Sequence, residues 1–140
     1  MSNACIFCKI AKGEIPSFKV HEDEHTLAFL DIQPLAEGHT LVVPKTHAVL
    51  IQDLPAADNA ALWGAVQQVA AKLQKTTGAP ATTVAVNNGR AAGQEVPHVH
   101  VHVVPRREGD GGGPIHAIFG KRPDLSKDAM AKLAERLRGA

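Results

Sequence analysis

The sequence lacks an excess of charge of either sign. Its 15 Lys and Arg residues and 14 Asp and Glu residues leave a formal net charge of +1 over 140 residues. A protein whose main partner is a nucleic acid normally presents a strongly basic face. The near-balance therefore predicts no nucleic acid partner, although small anions remain possible ligands.

The sequence also lacks a long hydrophobic run. No apolar stretch approaches the about 20 residues that a helix needs to span a bilayer, and the opening segment MSNACIFCKIAKGEIP becomes polar too early for a signal peptide. We therefore expect a cytoplasmic protein with no membrane partner. In such a reducing compartment the only two cysteines, Cys5 and Cys8, are typical of a metal or redox site rather than of a structural disulfide.

Apolar periodicity predicts an α+β domain with a mainly antiparallel sheet. Short β-branched runs predict strands in the segments SFKVHED, HTLAFLDI, GHTLVVPK, TTVAVNNG and HVHVHVVP. We expect a short helix that ends near Gly13 and one long amphipathic helix that ends at Gly78. The glycine-rich segment 109–113 should separate this core from a tail with a short helix capped by Ser126.

The segment PHVHVHVVP carries three histidines at alternate positions. In a strand, His98, His100 and His102 share one face and the valines share the other. The residues alone leave three interpretations open: a solvated polar face, three ligands of a catalytic zinc ion, or one imidazole that attacks phosphorus while a neighbouring histidine protonates the leaving group. In the last case, backbone amides of the adjacent loop AAGQ would hold the phosphate oxygens.

Four segments together resemble the histidine triad (HIT) family of nucleotide hydrolases and transferases, in its Hint-like bacterial branch. They are CIFCKIAKGEIP, TLAFLDIQPLAEGHTLVVPKTH, VNNGRAAGQ and HVHVHVV, and they follow the family order over roughly residues 4 to 106. The resemblance implies a five-stranded antiparallel sheet with one long and one or two short helices. It also implies a homodimer with a continuous ten-stranded sheet and the long helix at its interface. We expect the histidine triad domain to cover 1–106 and an extension, 107–140, to pack on or near the same domain.

The resemblance also implies residue roles. His100 resembles the nucleophile that takes the α-phosphate of a nucleotide, giving a nucleotidyl-histidine that water hydrolyses, and His102 resembles the histidine that contacts the phosphate and assists the leaving group. The expected substrate is a purine nucleotide, with adenosine as the expected base, in a phosphoramidate, a dinucleotide polyphosphate or a related nucleotidyl ester. The intact third histidine favours hydrolysis, since the uridylyltransferase branch usually has glutamine there. The residues expected to bind the nucleotide are Ile15, Phe29, Asp31, Ile32, Asn87, Gly93, Gln94, Val96, His100 and His102.

Within this set, two groups are distinguished. Ile15, Phe29, Asp31 and Ile32 resemble the base and ribose pocket, although Phe29 and Ile32 have plain core packing as an alternative. Asn87, Gly93 and Gln94 resemble phosphate-side residues, with Val96 nearby. Glu95 departs from the pattern, because many members have serine or threonine there to donate to the phosphate, and a carboxylate repels phosphate unless it turns away.

The same resemblance assigns the cysteines to a structural zinc site. Bacterial members that keep the pair hold zinc with both cysteines, the histidine of PKTH and the first histidine of the triad, which here are Cys5, Cys8, His47 and His98. Such a closed site has no open position for a reacting water. The other histidines, at positions 21, 25, 39 and 116, are expected at the surface or in local hydrogen bonds. Two alternative functions remain: a zinc hydrolase that uses the triad as ligands, and a nucleotide-binding regulatory module with little catalysis.

Overall fold

The computed structural model describes residues 4–140, and the chain divides into two compact units after Asp110. The first unit contains a single sheet with strand order β1-β2-β3-β5-β4, in which every neighbouring pair is antiparallel. Its strands are β1 (Lys19–Glu22), β2 (Thr26–Leu30), β3 (Thr40–Pro44), β4 (Ala81–Ala85) and β5 (Val101–Arg106), and its helices are α1 (Ile6–Ala11) and α2 (Ala56–Thr77). The predicted α+β class and five-stranded antiparallel sheet are confirmed.

Local sequence explains where the two helices begin and end. The thiol of Cys5 accepts a hydrogen bond from the amide of Cys8 and so caps the first turn of α1. Helix α2 ends at Gly78, whose φ of 72° lies in the left-handed region that glycine adopts without steric cost. Among residues 4–140, no helix has the length and apolar character needed to cross a bilayer.

The sheet separates two hydrophobic cores. On one face, α2 packs against the valines of β5 and the segment before it; this core includes Leu62, Ala65, Val66, Val69, Leu73, Val99, Val101 and Val103. On the other face, α1 packs against alternate residues of β2 and β3; this core includes Cys5, Phe7, Cys8, Ile10, Leu27, Phe29, Leu41 and Val43. Burial of the central strands on both faces explains why β2 and β3 read as continuous apolar runs.

Strand β5 begins three residues later than the sequence predicts. Its pairing with β3 starts at Val101, and the amide of Val99 donates instead to the carbonyl of Ala48, in the loop after β3 (2.8 Å). His98 and His100 therefore precede the strand, and the prediction that one strand carries all three histidines is wrong. Side-chain alternation nevertheless continues, since Val99 lies in the α2-side core while the rings of His98 and His100 contact the α1-side core.

The second unit, 111–140, contains a short 3₁₀ turn at Ile115–Ala117 and helix α3 (Lys127–Arg138). The hydroxyl of Ser126 accepts a hydrogen bond from the amide of Ala129 (3.1 Å), which is the predicted cap. That the extension packs on or near the histidine triad domain stays a prediction.

The first compact unit ends after Asp110, at a turn that follows β5. The carboxylate of Asp110 accepts from the guanidinium of Arg106 (2.8 Å) and from the amide of Arg107 (2.9 Å). These bonds close a turn at the end of β5. The turn therefore remains part of the first unit, and the chain leaves it at the glycines that follow.

Candidate active site and the neighbouring metal cluster

Two cysteines and two histidines converge at the start of α1. The Sγ atom of Cys5 lies 3.3 Å from Nδ1 of His98, and Sγ of Cys8 lies 3.3 Å from Nδ1 of His47. The two Nδ1 atoms are 3.1 Å apart. A tetrahedral zinc ion with bonds of about 2.0 to 2.3 Å has ligand-to-ligand edges of about 3.3 to 3.8 Å. The four donor atoms therefore fit one ion, and they form a potential metal-binding group.

The protonation of this cluster also suits a metal. Nε2 of His98 donates to the carbonyl of Pro44 (2.8 Å), so the neutral ring directs the lone pair of Nδ1 at the thiols. Burial lowers the pKa of His98 to about 4, which keeps the ring neutral. Burial and the hydrogen bond to Cys5 raise the pKa of the Cys8 thiol to about 11. A cation at the centre would reverse that effect and hold both thiols as thiolates.

A cleft of about 520 Å³ contains the other two triad histidines. Side chains from α1, β2, β3 and the segments beside β4 and β5 line it. It brings together nine of the ten predicted nucleotide residues: Ile15, Phe29, Asp31, Ile32, Asn87, Gly93, Val96, His100 and His102.

Phe29 and Ile32, for which the sequence left core packing as an alternative, differ in burial. Phe29 lies in β2, is 5% exposed and belongs to the α1-side core, so it serves both the core and the cleft wall. Ile32 follows β2 and is 82% exposed, so core packing does not explain it. An exposed isoleucine at the mouth of a cleft is an apolar surface available to a ligand.

The structure does not bring Gln94 into the cleft. Its side-chain oxygen accepts from the amide of Gly89 and its side-chain nitrogen donates to the carbonyl of Val49, both at 2.8 Å. The side chain is thus engaged by backbone groups and is not among the residues that line the cleft. Gln94 holds the loop in place, and its neighbours Gly93, Glu95 and Val96 face the cleft instead.

His100 presents a lone pair to the cleft. Its Nδ1 is 2.7 Å from the backbone oxygen of His98. A carbonyl oxygen only accepts, so the hydrogen of the neutral ring is on Nδ1 and the lone pair is on Nε2. The ring is 7% exposed and makes an edge contact with the ring of Phe7, with centroids 5.1 Å apart.

His102 presents a hydrogen instead. The amide of Leu35 donates to Nδ1 of His39 (3.1 Å), so the hydrogen of neutral His39 is on Nε2. That atom lies 3.0 Å from Nδ1 of His102 and donates to it. The hydrogen of neutral His102 is therefore on Nε2. Burial, assisted by His100, lowers the pKa of His102 to about 4 and keeps it neutral at pH 7.

His39 is the main residue that the sequence prediction missed. It was expected at the surface or in a local hydrogen bond, but it is 2% exposed and lies between His102 and Asp31, whose Oδ2 is 3.7 Å from Nε2. The sequence does contain a sign of this burial. Val43, Leu41 and His39 are alternate residues, so His39 lies on the same face as the two buried residues of β3. The histidines at positions 21, 25 and 116 do not line the cleft.

Phe7 was not singled out either. Its ring contacts the rings of Phe29 (centroids 5.6 Å apart), His98 (5.9 Å) and His100 (5.1 Å). It thus lies between the metal cluster and the cleft. Nothing in the sequence distinguishes it from any other apolar residue of a short helix.

Comparison with known proteins identifies the family. The HIT domain model matches residues 12–109. The chain is 44% identical over 135 residues to adenosine 5'-monophosphoramidase HNT1 of Saccharomyces cerevisiae, covering 93% of this chain and 83% of that protein. It is 41% identical over 110 residues to adenylylsulfatase HINT3 of Arabidopsis thaliana, covering 79% of this chain and 56% of that protein.

Solved structures agree. A HIT family protein from Bacillus subtilis superposes with a TM-score of 0.88 at 37% identity, covering 98% of this chain and 96% of that chain. A zinc-bound histidine triad family protein from Mycobacterium smegmatis superposes with a TM-score of 0.73 at 36% identity, covering 98% of both chains. The sheet, the cleft with its histidines and these matches define one class of protein: the chain belongs to the HIT family.

Proposed function

We propose that the protein is a nucleotide hydrolase that acts on the α-phosphate of adenosine phosphoramidates or related adenylyl esters through a covalent intermediate on His100. One observation carries the proposal: two neighbouring imidazoles in one cleft, with centroids 5.1 Å apart, have hydrogen-bond partners that require opposite tautomers. His100 offers a lone pair and His102 offers a hydrogen. The names of the yeast and Arabidopsis relatives support an adenylyl substrate whose leaving group varies.

The cleft supplies a place for each part of the nucleotide. Ile15, Phe29 and Ile32 form an apolar surface suited to a base. Asp31 is half-buried beside them, and its Oδ1 accepts from the amide of Gln33 (2.9 Å), which fixes the carboxylate. A fixed carboxylate can accept from both ribose hydroxyls. The α-phosphate then lies among the histidines and the loop that contains Gly93.

The reaction runs in two balanced halves. Nε2 of His100 attacks phosphorus, the bond to the leaving group breaks, and the leaving atom keeps the electron pair and takes up a proton. Water then attacks phosphorus, the P–N bond to His100 breaks, and the attacking water loses a proton. Because His102 is neutral at pH 7, solvent supplies the proton of the first half and takes up the proton of the second. The Nε2–H of His102 assists by donating a hydrogen bond, first to the leaving atom and then to the phosphate.

We assign the four-residue cluster of Cys5, Cys8, His47 and His98 to a structural zinc ion, as the zinc-bound relative suggests. Bound there, such an ion would cross-link α1, the loop after β3 and the segment before β5. The competing zinc hydrolase fits less well. Among residues 4–140, no potential metal-binding group unites the three triad histidines, because the ring of His98 is directed at the cysteines.

We also propose a homodimer with a continuous ten-stranded sheet. Strand β4 is an edge of the sheet, with Val84 42% exposed, and Trp63 on α2 is 38% exposed. Edge strands with apolar side chains are protected by pairing. Light scattering during gel filtration should give twice the mass of the chain, and a monomer would contradict the proposal. The cytoplasmic location stays a prediction.

The covalent step is tested by trapping the intermediate. The protein is mixed with adenosine 5'-phosphoramidate, quenched in alkali to preserve the P–N bond, digested and analysed by mass spectrometry. We expect an adenylyl group on the peptide that contains His100 and none in His100→Asn. If the wild-type protein turns over substrate with no adduct, and His100→Asn turns over at a similar rate, the mechanism is wrong.

A further inference from the structure

The cleft has an unusual charge for a site that receives a phosphate. Among residues 4–140, the only Asp, Glu, Lys or Arg residues that line it are Asp31 and Glu95, both acidic. Burial lowers the pKa of His39 and His102, so these rings contribute no positive charge at neutral pH. A nucleotide adds further negative charge. The charge balance of the complex therefore improves if the substrate itself carries a cation.

Glu95 lies on the phosphate side of the cleft. Gly93, two residues before Glu95 in the same loop, lies beside Asn87. A Cβ built on Gly93 would be 3.8 Å from Nδ2 of Asn87. Continuing the β4–β5 register past the end of β4 brings Asn87 level with His100. Asp31, in contrast, lies beside the apolar surface that suits the base.

The loop that carries Glu95 is fixed at both ends. Gln94 is bound to backbone groups on one side, and Val96 packs against the α1-side core on the other. Glu95 itself is exposed, and within residues 4–140 its carboxylate forms no hydrogen bond or ion pair. The backbone at Glu95 is therefore held at the cleft while its charge is available to a ligand.

We propose that Glu95 selects substrates whose leaving group carries a positive charge away from the reacting atom, such as adenosine phosphoramidates of a diamine. This inference rests on the proposed function. A carboxylate several ångströms from the leaving group attracts an ammonium and repels a carboxylate, and at intermediate polarity this changes kcat/KM by about tenfold for each unit of charge. Asp31 does not substitute for Glu95, because its carboxylate lies at the ribose end and accepts from a backbone amide.

The test compares three adenosine phosphoramidates whose amines end, on the same alkyl chain, in an ammonium, a methyl or a carboxylate group. For the wild-type protein we expect kcat/KM to fall in that order, by about tenfold at each step. In Glu95→Gln the three values should agree within about threefold, and in Glu95→Thr the carboxylate substrate should gain most. High salt should reduce the wild-type preference, since it screens exposed charges.

Glu108→Gln is the matched control, because it removes the same charge from an exposed residue outside the cleft. It should keep the wild-type order. If Glu95→Gln keeps the wild-type order too, or the wild-type protein shows no order, Glu95 does not select the leaving group although the proposed function stands. If the wild-type protein turns over none of the three substrates, both this inference and the proposed function are wrong.

Discussion

The metal cluster and the cleft use the same residue type in opposite ways. At the cluster, His98 donates through Nε2 to Pro44 and presents the lone pair of Nδ1. Two residues later, His100 donates through Nδ1 to a backbone carbonyl and presents Nε2. The carbonyl within reach of each ring, rather than the ring itself, thus decides which nitrogen is available for chemistry.

The two regions also share one segment of backbone. The carbonyl that orients His100 belongs to His98, whose side chain is a ligand in the proposed zinc site. The metal region therefore orients the ring of the proposed nucleophile, and in the proposed mechanism it takes no part in the reaction. This separation is testable, because substitutions should affect either stability and metal content or catalysis.

The largest effect is expected from His100→Asn. Removing the proposed nucleophile should lower kcat/KM for adenosine 5'-phosphoramidate by about 10⁴-fold, since the proposed covalent route is lost. Zinc content and the unfolding temperature should stay at the wild-type level. His116→Asn, at an exposed site in the second unit, is the control and should keep full activity. If His100→Asn lost its zinc, the metal region and the cleft would not be independent.

Removal of zinc should act through stability. With the metal at about a thousandfold excess over its dissociation constant, chelation lowers the free energy of unfolding by about 4 kcal/mol. Cys8→Ser should reproduce this loss, whereas His102→Asn should not. Urea unfolding with parallel metal analysis measures both quantities. A folded, metal-free protein that keeps its stability but loses turnover would instead favour a catalytic metal.

Within the cleft, we expect His39 to act as a positioning residue for His102, because its Nε2 donates to Nδ1 of that ring. His39→Phe removes the donor to His102 and should lower kcat by about 10- to 100-fold with little change in KM. His39→Gln can still donate and should recover most of the rate. Equal losses in the two variants would show that burial and packing, rather than the hydrogen bond to His102, explain the requirement.

The smallest effect is expected from acid. The pKa of His102 is about 4 in the folded protein, below its ordinary value of 6.5. Between these pH values the unfolded chain binds more protons, so this contribution to stability is complete above pH 6.5 and is lost as the pH falls toward 4. Allowing for partial exposure, we expect about 1 to 2 kcal/mol. In His102→Asn the acid-side loss of unfolding free energy should shrink by that amount, and an unchanged loss would assign it to other groups.

The sequence predicted the helices and strands well, because the spacing of apolar residues indicates both element types. The apolar runs of β2 and β3 and the three-four spacing of α2 match the observed elements. The start of β5 was misplaced because alternation of His98 and His100 with valines continues where the ladder has already ended. Periodicity reports which face a side chain occupies, and it does not report whether the backbone has a partner strand.

The site was predictable only as far as residue types and spacing define it. His100, His102 and most of the cleft residues followed from motifs, but the tautomers did not, since they depend on carbonyl and amide groups distant in sequence. Gln94 was assigned to the phosphate because the motif contains it. The structure shows its amide bound to backbone groups from two segments, a tertiary contact that the spacing of the motif does not encode.

The ring of Phe7 has a consequence for evolution and engineering. Its edge contacts reach a proposed zinc ligand, the proposed nucleophile and the wall of the base pocket. A smaller side chain there would leave a cavity beside all three rings. A substitution of Phe7 would therefore change the packing of all three at once. Selection for a new substrate should therefore act on the cleft rim, where Ile32 and Glu95 are exposed, and leave this ring unchanged.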